Sequence, residues 1–110
     1  MRQACRVVAA ALIGSSFAAS AQIHEVPPEL WDRPRTARAI IEQEPIKRAV
    51  GAALAQPAAQ LIIRHGGGQE PMLQAEELRS WLGALAIDTK RIVLRNDLPA
   101  GAPIQIEIVQ

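Results

Sequence analysis

With 12 Lys+Arg against 11 Asp+Glu over 110 residues, the chain lacks the clustered positive charge that a nucleic-acid-binding surface requires. A single cysteine, Cys5, excludes an intramolecular disulfide framework and any centre built from several thiolates. At this length one small apolar core, and so one domain, is expected.

Residues 1–21 read as an export signal. Arg2 and Arg6 form a basic start, and Val7 to Ala19 is an apolar, small-residue run too short to anchor in a bilayer. Ala19-Ser20-Ala21 supplies the small residues a signal peptidase needs, with cleavage after Ala21 and Gln22 as the new N-terminus. A packed N-terminal helix is the competing reading. Without Arg2 and Arg6, the 12 Lys+Arg fall to 10 against 11 Asp+Glu, a net charge of −1. The slight basicity of the whole chain therefore belongs to the signal, as does its cysteine. The expected location is periplasmic or secreted. No later apolar stretch approaches the ~20 residues of a membrane span, so no transmembrane segment is expected in the mature chain.

Residues 22–35 are expected to be an irregular lead-in, because Pro27, Pro28 and Pro34 interrupt regular structure. Trp31, in "PELWDRP", reads either as a binding aromatic or as a pin holding the segment to the core. Arg33, Arg35 and Arg38 make a small cationic cluster, suited to an acidic partner or simply scattered surface charge. Residues 36–110 are expected to form a single α/β domain. Thr36 to Ile41 fits a short strand or a turn of helix equally well.

A helix is expected from Pro45, where proline has no N–H to lose and Glu42 and Glu44 suit the positive helix end. Ile46, Val50, Ala53 and Leu54 form its apolar stripe, and Pro57 stops it. "AQLIIR", residues 59–64, has the continuous apolar character of a buried strand. Glu70-Pro71 opens a second helix with Leu78, Trp81, Leu82 and Leu85 on one face. "RIVLR", residues 91–95, is a third extended run, and Ile104, Ile106 and Ile108 alternate with polar residues as a half-buried strand does. The expected fold class is therefore α/β: a two-layer α/β sandwich of (β)αβαββ order, two helices on a mixed parallel/antiparallel sheet. The 59–64 and 91–95 strands should be parallel across a right-handed crossover, and the last two strands an antiparallel hairpin.

The run "LIIRHGGG" ends a strand in a histidine and three glycines, a corner at which backbone N–H groups can approach a ligand. As an oxyanion loop, His65 to Gly68 would serve a hydrolase, but the chain has no Gly-x-Ser-x-Gly elbow, and Ser80 sits inside the second helix. His24 and His65 have no metal-ligand spacing, no phosphate-loop pattern occurs, and Glu76-Glu77 diverge on their helix as a solvated face. No cofactor, no metal and no catalytic residue is expected.

From about Ala37 to Val109 the chain resembles the OmpA-like, peptidoglycan-associating domain of Gram-negative envelopes. "LIIRHGGG" stands where that family has its strand followed by Gly-His-Thr-Asp. "QAEELRSWLGALAIDTKRIVL" stands at its helix, with Trp81-Leu82 at Tyr-Leu, Ala86-Ile87 at Gly-Ile, and Arg91-Ile92 following. The resemblance implies the β-α-β-α-β-β order and a site for a diaminopimelate residue gripped by an Asp and an Arg. Gly67 and Gln74 stand at those two positions, so both charged anchors are replaced. Each charge-assisted contact is worth roughly 1.5–3 kcal/mol, and their loss removes most of the specific grip on a zwitterion. The resemblance thus implies a non-enzymatic periplasmic interaction module with a degenerate ligand site, its partner an envelope protein or a cell-wall peptide. The alternative is a peptidoglycan binder using a neutral site: His65, the amides of Gly66, Gly67 and Gly68, and Gln74. A small hydrolase is the remote third reading.

Overall fold

Strand β2 (Gln60–Gly66) carries the buried run Leu61–Ile62–Ile63, and this places it inside the sheet rather than at an edge. A computed structural model describes residues 22–110; the expected export signal over residues 1–21 lies outside the described residues. Four strands form one mixed sheet in the order β1-β4-β2-β3: β1 (Gln22–Glu25), β3 (Ile92–Leu98) and β4 (Gln105–Val109) complete it. β2 runs parallel to β3 and antiparallel to β4, and β4 is antiparallel to β1. Three helices accompany the sheet: α1 (Ala37–Ile41), α2 (Glu44–Ala55) and α3 (Gln69–Ala84). The fold is the expected two-layer α/β arrangement, with one short helix more than the two expected.

Two local assignments differ from expectation. The lead-in is not irregular at its start: Gln22–Glu25 supplies the edge strand β1, and Pro28–Asp32 forms a 3-10 turn. The optional first strand of the (β)αβαββ order therefore lies before the prolines, while Thr36 to Ile41 is helical, with the Thr36 hydroxyl accepting from the Ala39 N–H at 3.1 Å. The second difference is the hairpin. β3 and β4 are not paired; β4 crosses over the end of β2 and inserts between β2 and β1. Composition explains the choice. Ile104, Ile106 and Ile108 are all buried, whereas β3 carries exposed Arg95, Asn96 and Asp97, charges and amides that suit a sheet edge.

Leu61 and Ile63 of β2 point to the helices and share one core with Ile106 and Ile108 of β4, Ile46 and Val50 of α2, and Leu78 and Leu82 of α3. Fully burying each such side chain contributes about 1.5–3 kcal/mol. On α2 the buried stripe is Ile46, Ala49, Val50 and Ala53, while Leu54, expected on it, is 51% exposed. Arg91, just ahead of β3, donates to the carbonyls of Ala59 (2.9 Å), Ala53 (2.9 Å) and Gln56 (2.8 Å), so one guanidinium closes the end of α2 and the entry to β2. The opposite sheet face carries a cross-strand row Ile23–Glu107–Ile62–Val93 beside a polar row Glu25–Gln105–Arg64–Arg95. There Arg64 donates to Asp97 at 2.9 Å. Among the described residues no helix is long and apolar enough to cross a membrane.

Candidate binding groove

The glycine corner is largely a packing device. His65 follows Leu61 and Ile63 on the helix side of β2 and is only 4% exposed. Its Nδ1 lies 2.8 Å from the Gly66 carbonyl oxygen, an acceptor, so that nitrogen carries the proton. Gly66 sits under the β3–β4 connection: a Cβ there would stand 3.0 Å from the Pro99 carbonyl oxygen. The pairing register slips at the same point, between His65 and Gly66. Gly67 is exposed with open space around it, and Gly68, with φ 109°, turns the chain into α3. Of the expected neutral site, then, only Gly67, Gly68 and Gln74 reach solvent freely enough to meet a ligand.

Two cavities lie along the first turns of α3. One, of about 310 Å³, is walled by Trp31, Asp32, Glu70, Gln74 and the Gly101–Pro103 turn. The other, of about 520 Å³, is walled by Trp31, Arg35, Glu70, Leu73, Gln74 and Glu77. Trp31, Glu70 and Gln74 belong to both, so the two are lobes of one groove between the Pro28–Arg35 segment and α3. Trp31 packs against the core, as a pin would, and its side chain also lines the groove. Residues from two separately expected sites meet here, Trp31 and Arg35 of the lead-in with Gln74 of the helix. His65 and Gly66 line neither lobe.

Arg35 makes the groove's wall rigid. Its Nε and Nη2 donate to the two oxygens of Glu77 at 2.8 and 3.0 Å, a bidentate pair. Its Nη1 donates to the backbone oxygens of Trp31 (3.1 Å) and Arg33 (2.8 Å), and its guanidinium carbon lies 5.6 Å from the Trp31 ring centroid. Trp81 adds an indole N–H to Glu77 at 3.0 Å, from the next turn of α3. The hydrogen bonds from Arg35 hold the Glu77 carboxyl below its usual value, against an opposing push from partial burial; the Trp81 N–H and the Arg35 charge add to the lowering. The Glu77 hydrogen bonds in turn raise the Arg35 guanidinium. Glu77 is therefore not part of a purely solvated face.

The three arginines of the expected cationic cluster stand in different situations. Arg35 is committed to Glu77, while Arg33 and Arg38 are exposed. Ser80 is exposed on α3 and lines a separate small cavity with Glu76, Arg79 and Thr89, which His65 does not share. Among the described residues no three His, Cys, Asp or Glu side chains come together as a metal-binding group. Sequence reasoning passed over Asp32, Glu70 and Glu77 as groove residues. The one legible signal was the i, i+4 spacing of Glu77 and Trp81; the rest of the groove is non-local. No protein-family model, no curated protein and no solved structure matches the chain.

Proposed function

We propose that the protein is a non-enzymatic interaction module of the Gram-negative periplasm, an OmpA-like framework with a degenerate cell-wall-peptide site that binds an envelope partner through the Trp31–α3 groove. One observation carries this reading: the amphipathic groove gathers Trp31, Arg35 and Gln74, while the histidine of the glycine corner is buried and its Nδ1 is occupied by Gly66. The export-signal pattern ahead of β1 and the αβαββ order support the same assignment, and Gly67 and Gln74 at the anchor positions account for the degeneracy.

Two measurements test it. The protein should not co-sediment strongly with purified cell-wall sacculi. A photo-crosslinker at position 73, on the groove rim, should capture an envelope protein that the same crosslinker at position 93, on the open sheet face, does not. Strong co-sedimentation lost in His65→Ala or Gln74→Ala would overturn the degenerate-site reading and favour the second one, a peptidoglycan binder with a neutral site. The exposed Gly67–Gly68 backbone at the head of α3 is what favours that second reading.

A further inference from the structure

The two lobes of the groove share an aromatic wall but differ in charge. In the larger lobe a cation is already in place: the Arg35 guanidinium lies over the Trp31 ring and is gripped by both oxygens of Glu77. The smaller lobe offers related chemistry with no resident cation. Its wall contains Trp31 again, two carboxylates, Asp32 and Glu70, and no Lys, Arg or His. Among the described residues neither Asp32 nor Glu70 has a side-chain ion pair; the ion pairs there are Arg35–Glu77 and Arg64–Asp97.

We propose that the groove receives an extended basic polypeptide segment, with one lysine or arginine side chain seated in the Trp31–Asp32–Glu70 lobe. This rests on the groove being the binding surface of the module, as proposed above, and names the chemistry of the partner. An ammonium or guanidinium against an aromatic face gains from the ring quadrupole, and a partly enclosed site strengthens both that attraction and the pull of the carboxylates. An anionic ligand is disfavoured in the same lobe. Glu70 stands in the first turn of α3, where its charge offsets the positive helix end that would otherwise attract an anion. The continuity of the two lobes favours a chain over a small amine. Gln74, between them, offers an amide donor and acceptor to a passing backbone, and Leu73, 55% exposed on the rim, offers an apolar contact one residue further along. The smaller lobe, about 310 Å³, holds a single long side chain comfortably.

The test is a nuclear magnetic resonance titration of the mature protein with three capped hexapeptides: alternating Ala-Lys, the same peptide with every lysine acetylated, and alternating Ala-Glu. The indole N–H signals of Trp31 and Trp81 report separately, and Trp81 is held by Glu77 outside the smaller lobe. The lysine peptide should shift the Trp31 signal, and the acetylated and acidic peptides should not. Asp32→Asn with Glu70→Gln should weaken lysine-peptide binding at least about tenfold, since each carboxylate removed deletes a charge-assisted contact. The melting temperature should fall only by the small amount that a lost charge at the helix end costs, leaving the variant folded under the titration conditions, which separates lost binding from lost folding. Equal binding of the acetylated peptide, or unaltered lysine-peptide binding in the double variant, overturns the proposal. So does an absence of any peptide binding. If crosslinking at position 73 still captures a partner in that case, the groove stands as the binding surface and only its charge preference falls; if that also fails, the functional reading falls with it.

Discussion

Three consecutive glycines sit in three different physical situations, and each predicts its own response to a methyl group. At Gly66 a Cβ would press on the Pro99 carbonyl oxygen at 3.0 Å, and that oxygen belongs to backbone that crosses the end of β2. Gly66→Ala should therefore destabilise by roughly 1–3 kcal/mol, the usual cost of overpacking. At Gly68 the space is adequate, but φ of 109° with ψ of 161° lies in a region that side chains avoid, so Gly68→Ala should cost roughly 1–3 kcal/mol as strain. At Gly67 nothing lies within 4 Å of the built Cβ and no strain arises, so Gly67→Ala should leave stability within about 0.5 kcal/mol. Urea unfolding of the three variants checks the ranking; a large loss at Gly67 would contradict it. Ala86 is the reverse case. It has φ of 79° at the end of α3, where its N–H reaches the Gly83 carbonyl (3.2 Å) and the Ile87 N–H reaches Leu82 (3.1 Å), the double bond of a Schellman close. An alanine at that left-handed position pays a steric penalty that glycine does not. Ala86→Gly should raise stability by roughly 0.5–1 kcal/mol, read as a higher Tm.

At the scale of elements, Arg91 ties the start of β3 to the end of α2 and the entry to β2, 32 to 38 residues earlier in the chain. Its bonds to Ala53, Gln56 and Ala59 reinforce the end of α2 and the turn after it: the Ala53 and Gln56 oxygens already accept from the Gln56 and Ala59 N–H groups, and the guanidinium adds a charged donor to each. Arg91→Ala should cost roughly 2 kcal/mol, and Arg91→Lys should recover only part of it, because an ammonium cannot reproduce the planar fork that reaches three acceptors. Hydrogen exchange should localise the effect: faster exchange at the end of α2 and the start of β2, with the middle of α3 unaffected. Most elements were legible in the sequence, for a physical reason. β2, α3 and β4 owe their identity to local periodicity, and Pro45 and Pro57 bracket α2 from within. β1 was not legible. It is four residues long, its one aliphatic residue Ile23 faces outward at 54% exposure, and prolines follow directly. The expected hairpin failed because alternation marks a strand but not its neighbour. What placed β4 between β2 and β1 was the contrast between buried Ile106 and Ile108, with Ile104 just ahead of them, and the polar end of β3, together with a glycine at position 66 that lets the connection pass.

For the whole molecule, the groove depends on holding the Pro28–Arg35 segment against α3 across a sequence separation of 42 residues between Arg35 and Glu77. Such a pairing leaves no trace in local periodicity, which is why Asp32, Glu70 and Glu77 were not legible as groove-lining residues. Stability depends on pH in two steps, of which this pairing supplies the lower one. The partly buried His24 ring is held below its usual value of 6.5, first by burial and then by the Arg48 charge. The unfolded chain therefore takes up a proton below 6.5 that the folded chain refuses, and stability falls from there until folded His24 also protonates. Glu77 acts lower. Its folded carboxyl sits below the ordinary 4.5, so its contribution is complete above 4.5 and is lost as pH falls through the lowered folded value. His24→Gln should flatten the fall in Tm that begins near pH 6.5 and leave the lower step. Glu77→Gln should remove the lower step and cost roughly 1 kcal/mol at neutral pH, a figure discounted for the pair's partial exposure. That second variant should also loosen the groove itself: the Trp31 indole signal should broaden and the Trp81 N–H should shift as its acceptor changes from a carboxylate to a neutral amide oxygen, while the signals of β2 and β4 hold. An unchanged Trp31 signal in Glu77→Gln would mean that core packing alone fixes the segment, and that the ion pair tunes the groove's charge without building its wall.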